Sequence, residues 1–435
     1  MNKKVLTTSI PSWSQFSGAD TLSTLFEDYD AENVANIYIR SDVPDSKSCA
    51  NYFQIIEMNV IKSLFNPKLH TGRRVSIAND SNNSIKESTE IKEKKIYSFF
   101  TRYRFRIFLW LRELLWKLGK WNSKELNDFI REFDPDVFVF SIESYHHYNR
   151  LNQYIINTYK PKKVIGFLWD DNFTYKQEPY NIFAILDRYF LRRSVFRLVS
   201  SCDEVLAICP LMKKECDQEF NIDSIVVTKP SREVSNLPYS RKENGIIRLV
   251  YTGSLVIGRF DTIKLMVDTI QEINEEFGFR YFFDIYSQTS LTKSQVESLN
   301  IPNSSRFNGS ISQSEAFEEQ HRADMLVFVE NLDNRCKNIA RLSFSTKITD
   351  YLSTGRCIIA IGPKDISSIN YFIEEDAAIV ASHRQELREK LISIISDEHL
   401  LEYYANQARN LALNKHNRER IKSMFNEIIT SSRAK

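Results

Sequence analysis

The chain has 435 residues, 42% of them hydrophobic and 26% charged, with a formal net charge of +2. That length exceeds one ordinary core and suits two domains, and the near balance of charge excludes a dedicated nucleic-acid binder, which needs a strongly basic domain. The six cysteines have no close-pair spacing of the zinc kind, fit a reducing cytoplasm, and point to no metal site.

The first thirteen residues carry two lysines but no long apolar run, so no signal peptide is expected. No stretch approaches the roughly 18 consecutive apolar residues of a spanning helix. Residues 5–8 read as a first strand, 9–17 as a loop, and 18–29 as a helix with Leu22, Leu25 and Phe26 at helical spacing. Strands are expected at 37–39 and 75–77, and the polar, aperiodic segment 79–95 is expected to be a mobile loop. Residues 96–121 interleave Arg102, Arg104, Arg106, Arg112, Lys117 and Lys120 with aromatics that include Trp110, Trp116 and Trp121. Two readings stay open there: a basic aromatic helix lying on an anionic membrane surface, or a core helix with snorkelling arginines.

A helix at 123–132 leads into strands at 137–142, 164–169, 204–208 and 225–227, alternating with helices at 148–159, 183–198 and 211–220. Such alternation means βαβ units and a parallel sheet, an α/β protein. Residues 229–237, followed by Pro238, have little periodicity and read as a linker. The same grammar then restarts, with strands at 247–251, 281–286, 306–309 and 325–329 and helices at 262–275, 293–299 and 314–321. Strands at 357–361 and 377–380 and a last helix at 418–429 complete it. No G-x-G-x-x-G follows the first strand, which argues against a dinucleotide-dependent dehydrogenase.

In open α/β sheets ligands gather at the carboxyl ends of strands. The segment 343–362, SFSTKITDYLSTGRCIIAIG, reads as loop, short helix and buried strand. Ser343, Ser345 and Thr346 offer N-cap hydroxyls, Ile348 and Leu352 share a buried face, and Gly355 ends the helix. A phosphate fits at Ser345 and Thr346 with Lys347 close by, and Asp350 suits two ribose hydroxyls. The plainer alternative is a capped helix packed on a sheet with no ligand. Glu330 follows the strand at 325–329, placed equally well to reach a sugar or to pair with Arg335 or Arg341. In the first half, Glu143, His146 and His147 follow one strand and Asp170 and Asp171 another. Carboxylates and histidines suit proton transfer when their pKa is tuned; structural or sugar-binding roles are the alternative.

Lys347, Asp350, Tyr351, Leu352, Gly355, Arg356 and residues 358–360 match a segment of the form P-x-K-x-x-E-Y-L-A-x-G-K-P-V-I-A. The stretch thereby resembles the donor-binding segment of GT-B glycosyltransferases, especially family 4 and its bacterial polysaccharide relatives. Asp350 replaces that family's ribose-binding glutamate, and Leu342 stands where the first glutamate of its paired motif would fall. The resemblance implies two Rossmann-like domains facing across a cleft: 1–229 binding acceptor, 230–412 binding the nucleotide sugar, and 413–435 a helix crossing back to the first domain. It places Gly253 at the diphosphate turn, Ser254 where the family has an arginine, and Arg259 at the offset of its lysine. A leaving diphosphate requires cations, so Arg259 and Lys347, with Glu330, form the implied catalytic group. Tyr286, Ser310 and Ile311 would border the base, and Ser14, Gln15 and Gly18 the acceptor. The implied reaction is retaining hexosyl transfer, without metal or cofactor, from a nucleotide-diphosphate sugar to a saccharide or lipid-linked acceptor. It would serve surface-polysaccharide assembly in the cytoplasm or on the inner face of the plasma membrane. A sugar-nucleotide epimerase of the same architecture and a non-catalytic binding or scaffold protein remain as alternatives, the second suggested by Leu342.

Overall fold

The structure, a computed structural model, describes residues 3–13, 20–76, 106–177, 182–234 and 245–431, apart from the side chains of 20, 106–108 and 334–336. The chain forms two units, Met1–Thr228 with Ile421–Lys435, and Lys229–Arg420.

The first unit is built on strands β1 (Val5–Ser9), β2 (Val34–Tyr38), β3 (Asn51–Ile55), β4 (Gly72–Val75), β5 (Val137–Ile142), β6 (Lys163–Leu168), β7 (Glu204–Ala207) and β8 (Ile225–Val226). They lie in the order β4-β3-β2-β1-β5-β6-β7-β8, and only the β3–β4 edge pair is antiparallel. The runs VFVFSI and KVIGFL are buried at every residue, as strands covered on both faces must be. Seven described helices belong here: α1 (Asp20–Leu25), α2 (Glu57–Lys62), α3 (Arg106–Leu118), α4 (Lys124–Phe133), α5 (His146–Tyr159), α6 (Ile182–Ser200) and α7 (Pro210–Phe220). In α4 the Ser123 hydroxyl accepts from the Leu126 amide, and Leu126, Phe129, Ile130 and Phe133 form the buried stripe. The last helix, Arg418–Thr430, returns its final residues to this unit, where Lys163 donates to the Ile428 carbonyl at 2.5 Å and Phe425 meets Phe26 edge-on at 5.2 Å.

The second unit holds β9 (Ile247–Thr252), β10 (Tyr281–Tyr286), β11 (Ser305–Gly309), β12 (Met325–Val329), β13 (Cys357–Ile361) and β14 (Ile379–Ala381), all parallel, in the order β11-β10-β9-β12-β13-β14. Around them run α8 (Arg259–Phe277), α9 (Lys293–Leu299), α10 (Gln313–Arg322), α11 (Asn334–Ala340), α12 (Lys347–Ser353), α13 (Ser367–Glu374), α14 (Arg384–Ser396) and α15 (His399–Asn414). In each sheet the strand order reverses beside the unit's first strand, between β1 and β5 and between β9 and β12. A crevice opens at such a reversal because the flanking loops diverge to opposite faces.

Several elements differ from the sequence reading. β3, α2, α14 and α15 were not expected, although Leu387, Leu391 and Ile394 give α14 a buried helical stripe. The strand expected at 75–77 is the antiparallel edge β4, ending at Val75. Residues 229–234 have no regular secondary structure, and Lys229 and Ser231 are buried in the second unit rather than loose in a linker. The segment 79–95 and residues 96–105, with Arg102 and Arg104, lie outside the described residues.

Candidate functional site

At the reversal of the second sheet, β9 ends at Thr252 and β12 at Val329. The loop after β9 turns through Ile257 at φ 57° and Gly258 at φ 72°, and hands Arg259 to the first position of α8. A Cβ on Gly258 would lie 1.7 Å from the Asn331 amide nitrogen, so conformation and space both demand glycine. Arg259 donates from Nη2 to both oxygens of Glu330, at 3.0 and 2.9 Å, and from Nε to Oε2 at 3.1 Å. Glu330 is buried, and Thr262 Oγ1 donates to its carbonyl at 3.0 Å. Arg259 is thus a paired cation at a helix start, not a solvated loop residue.

Lys347 opens α12. Its residue is partly exposed, but its ammonium is enclosed: Nζ sits 4.7 Å from the Tyr251 ring centroid, 5.8 Å from that of Phe328, and 3.4 Å from the Tyr251 hydroxyl. Burial pushes the amine down to about 8, the Arg259 charge adds to this, and Glu330 opposes it. A Cβ on Gly253 would come within 2.6 Å of Lys347 Nζ, so the glycine is what lets the ammonium occupy this place. The Tyr251 hydroxyl donates to the Ser254 carbonyl at 2.7 Å, tying the loop to the strand. Two cations and one carboxylate converge here, leaving one positive charge uncompensated within the cluster. An anion with two phosphates suits such a place electrostatically.

Other expected groups stand differently. Asp350, read as open to a ribose, is ion-paired: Lys229 Nζ lies 3.3 and 3.4 Å from its two oxygens, and Arg232 Nε donates to Oδ1 at 3.3 Å. The Arg232 guanidinium also stacks 5.2 Å from the Phe317 ring. The N-cap expected of the serines and Thr346 does not form: Thr346, at the cap position, has helical φ −60° and ψ −20° and makes no side-chain cap bond. The Ser345 amide meets Ser368 Oγ at 3.5 Å, and its carbonyl accepts from Ile348. Tyr286 spends its hydroxyl on Glu319, at 3.2 Å, while its carbonyl accepts from the Gly253 amide at 3.0 Å. Ser254 is exposed, and so is Ser310, while Ile311 is half-buried; the last two follow β11, two strands from β9. Leu342 is fully buried, a position where a carboxylate would lose its hydration. Tyr251, Phe328, Asn331, Lys229 and Arg232 were missed, because each acts on a residue distant in the chain.

In the first unit, Glu143 follows β5 at that sheet's reversal. Its backbone is clamped by Asn149, which accepts from the Glu143 amide at 3.2 Å and donates to its carbonyl at 2.8 Å. Burial pushes the Glu143 carboxyl up to about 7, the charge of Asp170 adds to this, and Ser141 and Arg40 oppose it. His146 Nε2 lies 3.3 Å from Asp187. His147 is buried, bonded through Nδ1 to Glu113 at 2.6 Å and stacked 4.5 Å from Trp116, which makes it a packing residue. Asp171 is buried too, its carboxylate accepting from the Thr174 amide at 3.0 Å and hydroxyl at 2.5 Å, which staples the turn after β6. Asp170 is exposed. Ser14, Gln15 and Gly18 lie outside the described residues. Among the described residues, no group of three or more His, Cys, Asp or Glu is placed to hold a metal ion, and no helix is long and apolar enough to cross a membrane.

Solved structures share this architecture along the whole chain. Anabaena Alr3699/HepE in complex with UDP-glucose aligns with a TM-score of 0.62 at 9% identity, covering 99% of this chain and 100% of that one. WaaG, a glycosyltransferase involved in lipopolysaccharide biosynthesis, aligns at 0.56 and 13% identity over 98% and 100% of the two chains. The fold is GT-B. An alpha,alpha-trehalose-phosphate synthase (UDP-forming) from Burkholderia vietnamiensis shares it as well, with a TM-score of 0.55 at 8% identity over 98% of this chain and 99% of that one. No protein-family model and no curated protein matches the sequence. Identities this low establish common architecture, so the chemistry of the GT-B fold in this chain rests on its own residues.

Proposed function

We propose that the protein is a glycosyltransferase moving a hexosyl group from a nucleotide-diphosphate sugar to a saccharide or lipid-linked saccharide acceptor in surface-polysaccharide assembly. The observation that carries this reading is the convergence of Arg259, Lys347 and Gly253 at the reversal of the second sheet. In the transfer, the bond from the anomeric carbon to the diphosphate oxygen breaks, a bond to the acceptor oxygen forms, and the nucleoside diphosphate leaves with added negative charge. Arg259 and Lys347 stabilise that charge where little water competes. The amine of Lys347, near 8 in the free protein, becomes fully protonated as the anion arrives. Glu330 holds Arg259 in place, and Asp350 takes the ribose hydroxyls in exchange for Lys229 and Arg232. Tyr286, Ser310 and Ile311 border the base through backbone groups. The complexes solved for HepE support a nucleotide sugar as the donor class. In this reading residues 1–229 serve the acceptor and 230–412 the donor, no metal takes part, and the protein works at the cytoplasmic face with residues 96–121 against an anionic membrane.

Retention of the anomeric configuration, with the acceptor proton passing to the leaving phosphate, is the first reading of the stereochemistry. Inversion is the second, and Glu143 favours it: a clamped carboxyl near 7 is suited to take the acceptor proton at neutral pH. Calorimetric titration with UDP-glucose and a panel of other nucleotide sugars tests donor binding, and NMR of the product's anomeric proton assigns the stereochemistry. Turnover of donor without acceptor would instead make the protein an epimerase. Binding without turnover of any kind would leave a scaffold.

A further inference from the structure

Helix α6 is apolar on its solvent face as well as on the face that it buries with Ala184, Leu191, Val195, Leu198 and Val199. Ile182 is 68% exposed, Phe183 60% and Phe190 55%, with Ile185, Leu186 and Tyr189 also exposed, while Arg188 on the opposite side is 4% exposed. These apolar side chains recur at three- and four-residue spacing along two and a half turns, so they share one outward stripe. Helix α3 repeats the pattern with Trp110, Leu111, Leu114 and Leu118, the last 62% exposed. Both helices pack against α5, and His146 and His147, its first two residues, bond Asp187 of α6 and Glu113 of α3. The two apolar faces therefore flank one end of α5. The acidic side chains of α3 and α6 are those two, each partly buried against its histidine, and the exposed charges among the described side chains of these helices are Lys117, Arg193 and Arg197.

We infer that α3 and α6 together form a face that docks on an anionic lipid bilayer, their apolar side chains entering the acyl boundary and Lys117, Arg193 and Arg197 meeting headgroup phosphates. Exposed apolar side chains gathered on two helices that pack against the same third one mark an interaction surface. The charges choose the occupant: a second copy related by a two-fold axis sets the patch against itself and brings cation to cation, whereas an anionic surface complements them. Large apolar groups above a basic rim are the composition of an interfacial helix. This deepens the membrane part of the proposed function, rests on that part alone, and adds α6, which its sequence spacing presents as an ordinary core helix.

Co-sedimentation with phosphatidylcholine vesicles, with and without phosphatidylglycerol, tests it on the full chain. Wild type pellets with the anionic vesicles and releases as salt rises, since the attraction is screened within a Debye length. Phe183→Asp with Phe190→Asp lowers the partition coefficient at least about tenfold, and Leu114→Asp with Leu118→Asp does the same. Arg193→Glu with Arg197→Glu weakens binding mainly at low salt. All six positions are exposed, so unchanged thermal melting separates lost docking from lost folding. If the α3 pair abolishes pelleting and the α6 pair leaves it intact, the membrane reading stands and α6 is excluded from it. If wild type stays in solution with anionic vesicles, both are overturned. A dimer in sedimentation velocity that Phe183→Asp converts to monomer would reassign the face to a subunit contact. Donor titration is read separately, so none of these outcomes is confused with failure of the donor site.

Discussion

The two sheets reverse their strand order at equivalent places, yet the loops at those reversals carry opposite chemistry. After β9 and β12 stand Arg259 and Lys347 around a single carboxylate; after β5 and β6 stand Glu143, His146 and Asp170. Burial acts in both, and moves each key group toward neutrality from its own side: the Lys347 amine falls to about 8 and the Glu143 carboxyl rises to about 7. One topology thus supplies two places where charge responds near physiological pH, and the side chain decides whether the place suits an anion or a proton. The fold says where chemistry can sit; it does not say which.

The strongest way to break this comparison is to unbalance the second site. Arg259→Ala leaves Glu330 buried without its bidentate partner, and removing one member of a buried pair costs about 3–5 kcal/mol. Urea denaturation should show that loss, and the double substitution Arg259→Met with Glu330→Leu should recover most of it. A single variant as stable as wild type would mean that the pair is not formed in solution.

Next comes Lys347→Ala, which leaves its rings packed but removes one charge-assisted contact to a diphosphate. Such a contact is worth about 1.5–3 kcal/mol, so UDP-sugar and UDP should both weaken by about tenfold to a hundredfold, while uridine is unaffected. The pH dependence carries the sign. An anion favours the protonated amine, so binding takes up a proton and wild-type affinity falls as pH rises through about 8. In Lys347→Ala that fall should be absent. Calorimetry across this range, in buffers of different ionisation enthalpy, reads the proton uptake directly.

What could be read in the sequence follows from what is local. Continuous apolar runs such as VFVFSI and CIIAI, spaced by helical stretches, announce parallel strands, and the residues just after them lie at the strand ends where such a fold opens a crevice. The pairings inside that neighbourhood are not local. Arg259 and Glu330 are 71 residues apart and meet because β9 lies beside β12; Lys229 and Asp350 are 121 apart. Strand order settles the first and the packing of the segment 229–234 against α12 the second, and no spacing along the chain encodes either. The exposed face of α6 was hidden for a different reason: apolar residues surround the helix, so periodicity cannot tell which side meets the sheet.

The first site has its own test, smaller and independent of any substrate. The Glu143 carboxyl is raised from 4.5 to about 7 in the folded protein, chiefly by burial. A raised carboxyl contributes stability that is fully present below its unfolded value and is lost as pH climbs through the folded one. Wild type should therefore lose about 2 kcal/mol between pH 4.5 and 7 from this group. Glu143→Gln, neutral throughout, should be flatter across that window and the more stable of the two at pH 8. Parallel stability curves for the two proteins would place Glu143 in water and remove it as a candidate base.

The smallest expected effect is the most diagnostic for the comparison, and it comes from one methyl group. Gly253→Ala puts a Cβ 2.6 Å from Lys347 Nζ and 3.1 Å from the Tyr251 hydroxyl, and the nearest atom is the far end of a flexible side chain. The ammonium can swing away, so the fold should lose less than about 1 kcal/mol. Once displaced from the Tyr251 ring toward water, the amine regains hydration, and its pKa should move back up from about 8 toward the ordinary lysine range. UDP affinity should then fall severalfold at neutral pH, and its decline at alkaline pH should shift to higher pH instead of vanishing as in Lys347→Ala. That upward shift separates displacement of the cation from its removal. If both affinity and inflection match wild type, the Lys347 ammonium does not rest beside Gly253, and burial is not what tunes it.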